Sequence, residues 1–329
     1  MARFARIIGT GLSVPERVVS NAELSRWLGE DIDPFVSQVL GISERRWCRE
    51  DESTADLAEG AARRALESAG LTPADVDLIV LATDTPEYLS PATSVVVQYR
   101  LGATRAATFD VNCACAGFVT ALDVGAKYIQ ADEQYRHVLV IGAYAMSKYL
   151  DRADKKTVTI FADGAGAVVL GASREPGILA SRLLADGQFH DYLGIYAGGT
   201  RLPITEAVLR EGYFTKVRFV KKYPPETNIE GWPRIIERTL TAARLTLEEI
   251  ALFLFTQVNL STIRAVMDRL GLPLSRTHTV MHKWGYTGSA CIPMALDDAV
   301  REGKVQPGDH LVLCASGGGM NMACVVLRW

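Results

Sequence analysis

The sequence predicts an α/β protein made of two similar halves around a shared central helical layer, an αβαβα five-layer sandwich. Three observations predict it. Short apolar runs such as LIVLAT and HVLVIGA alternate with segments of 3.6-residue periodicity. Those runs have no polar face, so each strand needs cover on both sides, which is the α/β situation. The pattern also occurs twice.

The repeat justifies the elements in turn. Arg64–Ala82, RALESAGLTPADVDLIVLA, reads as helix, short loop and buried strand, and Arg238–Thr256, RTLTAARLTLEEIALFLFT, reads the same way at an offset of 174 residues (238 − 64). The same offset pairs Ala121-Leu122-Asp123 with Ala295-Leu296-Asp297, and His137-Val138-Leu139-Val140 is echoed by His310-Leu311-Val312-Leu313. A third echo sets Ala167-Val168-Val169-Leu170 beside Cys324-Val325-Val326-Leu327. Duplication of one half predicts two units, residues 1–173 and 174–329. A helix is expected to open at the capping residue Ser53. Gly9-Thr10-Gly11 is read as a turn, because Val14 and Pro15 stand where a dinucleotide-binding loop would continue.

Composition excludes several classes of function. With 329 residues, 48% of them hydrophobic, the chain is long enough for a deep core and a buried site. Lys and Arg total 35 against 38 Asp and Glu, so a net charge of -3 provides no basic field for nucleic acid. No run approaches the roughly 20 apolar residues of a membrane span. Arg6 and Gly9 interrupt any N-terminal signal core, and a cytoplasmic address is expected. Six cysteines form no disulfide pattern, and Cys113-Ala114-Cys115 lacks metal-ligand spacing, so no metal is expected.

Phe109–Phe118, FDVNCACAGF, runs from a strand-like stretch into a helical pattern. Cys115 at that junction faces the positive end of a helix dipole, which is expected to lower its pKa and make it a nucleophile. DVNCACAGFVTALDVG, GYTGSACIPMALDDAVREGKV and the C-terminal ASGGGMNMACVVLRW, in that order, resemble the hallmarks of the ketoacyl-ACP synthase III family. The resemblance covers essentially the whole chain and implies a thiolase-like fold. It also implies an acyltransferase in which Cys115 accepts an acyl group from a thioester and the acyl-enzyme is condensed with a malonyl thioester. The amides of Cys115 and Gly318 would form the oxyanion hole.

The chain departs from the family pattern at the two donors for the malonyl thioester oxygen. Thr256 stands at the family's histidine and Tyr286 at its asparagine. Losing one oxyanion donor costs about 2.7–4 kcal/mol, so a substitute is expected, with His190 first and His282 second. At the carrier site Phe35 and Val39 stand where the family presents Trp and Arg, and Asn259 falls among the cofactor-binding positions. No cofactor is implied, since acyl-CoA or acyl carrier protein (acyl-ACP) is substrate. Lys221, Lys222, Arg264 and Arg269 are candidates to meet an acidic carrier. A homodimer is implied, with Ser90 where a partner phenylalanine often closes the acyl pocket. The alternatives are an acyltransferase that uses a hydroxyl, amine or other non-malonyl acceptor, and a non-catalytic subunit of a paired synthase.

Overall fold

The computed structural model describes residues 3–329. One sheet contains β1 (Phe4–Ser13), β2 (Leu78–Ala82), β3 (Ala107–Val111), β4 (His137–Ala145) and β5 (Asp163–Ser173), in the order β1-β5-β4-β2-β3. The other contains β6 (Ile178–Ala185), β7 (Ile250–Phe255), β8 (His310–Gly317) and β9 (Asn321–Arg328), in the order β7-β8-β9-β6. The two orders superpose. Within each sheet the repeat strands β2 and β4, or β7 and β8, run parallel, and the following strand returns antiparallel. The counterpart of β3 shrinks to a single parallel bridge between Phe253 and Thr277.

Parallel neighbours require crossovers, and helices provide them. The layers use α1 (Thr54–Ser68), α2 (Thr93–Leu101), α3 (Gly117–Ala131), α4 (Glu226–Ala243), α5 (Leu260–Arg269) and α6 (Cys291–Arg301). Helices α1 and α2 cover the first sheet, α4 covers the second with α5 packed against it, and α3 and α6 lie between the sheets. This is the five-layer arrangement. Helix α1 opens as expected, with Ser53 and Asp56 closing a capping box.

Gly9-Thr10-Gly11 is not a turn but the middle of β1. A Cβ at Gly9 would lie 2.5 Å from Ala65 O, and one at Gly11 would lie 2.4 Å from Ala65 N. The glycines let the alanine-rich face of α1 seat directly on the strand. Thr10, between them, points the other way and donates from Oγ1 to Asp297 of α6 at 2.7 Å. In the other half, Ser181 of β6 donates to Asp123 of α3. The two repeat-related aspartates thus each tie a central helix to the first strand of the opposite sheet, and each also pairs with a cation one turn on, Arg301 or Lys127. The N-terminal end of α3 is thereby held against the C-terminal end of β8.

Candidate active site

Cys115 sits in a 3-10 turn, Ala114–Ala116, between β3 and α3. The residue before it, Ala114, has φ +46°, a left-handed conformation that costs an L-residue energy and is found where a site needs it. The Asn112 side chain accepts the Ala114 N–H at 3.1 Å and holds the bend. The end of β8 then presses on this elbow. A Cβ at Gly317 would lie 2.4 Å from Cys113 O and 2.9 Å from Cys115 N. Gly319 adopts φ +73°, whereas a Cβ at Gly318 would make only an ordinary contact, 3.4 Å from Leu193 O. The need for glycine therefore lies at 317 and 319, the residues that flank the amide of Gly318.

The thiol is not acidified as the helix dipole alone suggests. Burial pushes the Cys115 pKa well above its ordinary value, and the charge of Asp84 adds to the rise. The nearby Tyr286 hydroxyl opposes it. Tyr286 is itself buried and raised by desolvation. Its backbone N–H bonds Ile160 O at 3.0 Å, its carbonyl accepts from Ala162 at 2.9 Å, and its ring stacks on Phe161 at 5.6 Å. Thr256, at the end of β7, has its hydroxyl engaged: Oγ1 accepts the Ser316 N–H at 3.0 Å and lies 3.4 Å from Ser316 O. This side chain ties the ends of β7 and β8 together.

Two chambers meet at Cys115. The first, about 170 Å³, is lined by Thr256, Tyr286, Gly317, Gly318, Phe219 and Tyr223 among others. Phe219 and Tyr223 also line an outer cleft of about 700 Å³ that holds Phe35, Lys155, Lys156, Lys221 and Lys222. The second chamber, about 300 Å³, carries Asp84, Asn112, Tyr144, His190 and Tyr196. Burial raises Asp84 to about 6, opposed only by a bond from its own N–H. Its Oδ1 has no partner.

Residues 109–187 match the 3-oxoacyl-[acyl-carrier-protein] synthase III family, and residues 240–329 match that family's C-terminal domain. A beta-ketoacyl-[acyl-carrier-protein] synthase III of Roseiflexus castenholzii is 40% identical, over 100% of this chain and 99% of its own length. The chain belongs to the 3-oxoacyl-ACP synthase III family. The crystal structure of a 3-oxoacyl-[acyl-carrier-protein] synthase III from Aquifex aeolicus is 33% identical, covers 99% of this chain and 100% of its own, and superposes with a TM-score of 0.90. The priming beta-ketosynthase of the R1128 polyketide pathway is 32% identical, covers 99% of this chain and 97% of its own, and has a TM-score of 0.91. The fold is the thiolase-like one of these synthases, and the chain is an acyltransferase of this condensing class.

Within this synthase-family site, Cys115, Gly318, Thr256 and Tyr286 converge on the first chamber, and His190, itself exposed, lines the second. His282 is exposed and lines neither chamber. Phe35 is 59% exposed at the outer cleft. Asn259 caps α5, its Oδ1 accepting the N–H groups of Ser261 and Thr262, and it lines neither chamber nor the cleft. Lys221 pairs with Asp191 at 2.5 Å, Arg264 is exposed on α5, and Arg269 lines a separate groove beside Glu226 and Glu237. Asp84 escaped the sequence reading. It is a lone acid ending an apolar strand, LIVLATD, and that was its only signal. Elsewhere His278, Asp298 and Glu302 cluster as metal ligands do, but Lys283 Nζ contacts Asp298 at 2.7 Å, and Lys304 Nζ lies 2.9 Å from His278 and 2.8 Å from Glu302. Two amines occupy the place of a cation. Among the described residues no helix is long and apolar enough to cross a membrane.

Proposed function

We propose that this chain loads an acyl group from a CoA or ACP thioester onto Cys115 and condenses it with a malonyl thioester. The observation that carries this reading is the position of Cys115 on the elbow where the inward route from the lysine-bearing cleft meets a further chamber. The carrier arm enters past Phe219 and Tyr223. Cys115 Sγ attacks the thioester carbonyl, the amides of Cys115 and Gly318 receive the oxyanion, and the carrier leaves as a thiol. A malonyl thioester follows the same route, loss of CO₂ leaves an enolate that attacks the acyl-Cys115 carbonyl, and collapse of the tetrahedral intermediate breaks the C–S bond to release the 3-oxoacyl thioester and the Cys115 thiolate, which regains a proton.

In this scheme Tyr286 is the side-chain donor for the enolate oxygen, and Thr256 serves it by fixing the strand ends. Phe35 stacks on the carrier's base, Lys156 and Lys222 face its phosphates or an acidic carrier protein, and Asn259 shapes the cleft through its helix cap. The active unit is a cytoplasmic homodimer in which Ser90 faces the partner's acyl pocket. Incubation with acyl-CoA or acyl-ACP should add one acyl mass to Cys115, and malonyl-ACP should then release CO₂ and a 3-oxoacyl product. Absence of the adduct with chains from short to long sinks the reading.

One observation favours a second reading. The Thr256 hydroxyl is held by Ser316, so the site has one fewer donor for an enolate than the family pattern provides. Transfer of the acyl group from Cys115 to a hydroxyl or amine needs no such donor, only a base such as His190. A normal acyl adduct without CO₂ release, discharged by an alcohol or amine and slowed in His190→Ala, selects this second reading.

A further inference from the structure

Asp84 and Tyr196 both line the second chamber, and Asp84 Oδ1 and Tyr196 Oη have no hydrogen-bond partner among the described residues. Buried polar groups in folded chains are almost always paired, so two unpaired groups on side chains that line one cavity point to a missing partner. Among the described residues no Lys or Arg lines the chamber. His190 is the one other side chain there able to carry positive charge, and no hydrogen bond joins it to Asp84. The remaining titratable groups, Cys115, Tyr144 and Tyr196, are all raised, and the charge of Asp84 contributes to the rise at Cys115 and Tyr144. With its pKa at about 6, Asp84 is ionised at neutral pH. The chamber therefore presents an uncompensated anion.

Its place on the route decides what the partner is. The carrier arm arrives from the outer cleft through the first chamber, so the space beyond Cys115 is left for the acyl group. We propose that this chamber selects acyl groups whose chain carries a hydrogen-bond donor, a primary amine above a hydroxyl, and that Asp84 and Tyr196 receive that donor. The inference rests on Cys115 as the acyl acceptor. A plain alkyl chain would leave both atoms unpaired, and sites built to bond a polar group reject the analogue that lacks it far more strongly than apolar pockets reject an extra methylene. An acidic chain would meet like charge. A volume of about 300 Å³ suits a short chain.

Non-reactive amide analogues test this without chemistry at Cys115. The pantetheine amides of β-alanine, 3-hydroxypropanoic acid and propanoic acid are titrated calorimetrically into the wild-type protein, Asp84→Asn and Tyr196→Phe. The β-alanyl analogue should bind the wild type at least tenfold more tightly than the propanoyl one, with the hydroxyl analogue between. Asp84→Asn should remove the amine preference, and Tyr196→Phe should reduce it. Equal or tighter binding of the propanoyl analogue by the wild type, or an amine preference that survives Asp84→Asn, overturns the proposal. A parallel mass measurement with β-alanyl-CoA and propanoyl-CoA separates the two claims. Discrimination among amides without acylation of Cys115 by any thioester would refute the acyl-acceptor role and leave the chamber's selectivity standing.

Discussion

The two chambers that meet at Cys115 differ in the polar groups nearest the sulfur. On the carrier side the Thr256 hydroxyl is bonded to Ser316 and the Tyr286 hydroxyl interacts with the Cys115 thiol, while the Tyr223 hydroxyl, farther out toward the cleft, is unpaired among the described residues. On the far side Asp84 Oδ1 and Tyr196 Oη have no hydrogen-bond partner among the described residues. A polar group paired by the protein shapes backbone, as Thr256 does at the ends of β7 and β8. One left unpaired keeps its full desolvation cost until something else pairs it. The contrast separates residues that build the site from residues that wait for its occupant.

The largest expected effect falls on the point the chambers share. Cys115→Ser replaces the thiol by an alcohol that is far harder to ionise, and the acyl adduct seen by intact mass should disappear, a loss of at least about a thousandfold in loading rate. If the serine variant still loads, the nucleophile lies elsewhere and the two chambers do not meet at the reacting atom.

Gly317→Ala comes next. Its Cβ would fall 2.4 Å from Cys113 O, so the elbow or the end of β8 must shift. Overpacking of this kind costs about 1–3 kcal/mol. The melting temperature should drop, and loading should fall by two to three orders of magnitude because the amides of Cys115 and Gly318 lose register. Gly318→Ala should be far milder, since its Cβ meets only an ordinary contact. The reverse ranking would contradict the arrangement of the elbow.

Tyr286→Phe separates the two chambers chemically. The hydroxyl favours the Cys115 thiolate against burial, and a hydrogen bond to a charged group is worth about 1.5–3 kcal/mol. Its removal should push the thiol pKa further up and slow iodoacetamide alkylation of Cys115 about tenfold or more, at pH values below the thiol's own pKa. Asp84→Asn should act in the opposite direction, because its charge raises the same thiol. Alkylation rates measured against pH for the three proteins check both signs.

Much of the fold was legible because duplication writes it twice. The echo of Arg64–Ala82 in Arg238–Thr256 gives two sheets, each with a parallel pair at its centre, and the paired Asp123 and Asp297 mark the shared layer. Gly9-Thr10-Gly11 was misread because a glycine that admits a helix and a glycine that makes a turn look alike in sequence. They differ only in what lies above them, here Ala65. Cys115 was legible from its motif, but its acidity was not. The local dipole argument sees the helix start, whereas burial by Tyr144, Phe161 and Tyr286 comes from distant segments. Asp84 was invisible for the same reason, since only the fold brings the end of β2 to Cys115.

The smallest expected effect tests the far chamber by stability alone. Asp84 has a folded-state pKa of about 6, above the roughly 3.9 of an unfolded aspartate, so the folded protein binds this proton more tightly. Its contribution is most favourable below about pH 4, is lost as pH rises toward 6, and stays lost at neutral pH. The full shift corresponds to about 3 kcal/mol, and about half of that is expected at a half-buried group once screening is allowed for. Asp84→Asn should therefore match the wild type near pH 4 and exceed it by about 1–2 kcal/mol at pH 7, read as the difference between two denaturation curves so that all other carboxylates cancel. A β-alanyl amide that fills the chamber should close the gap at pH 7 by stabilising the wild type alone. Parallel curves across pH 4–7 would mean that Asp84 is already paired, and the two chambers would then be alike.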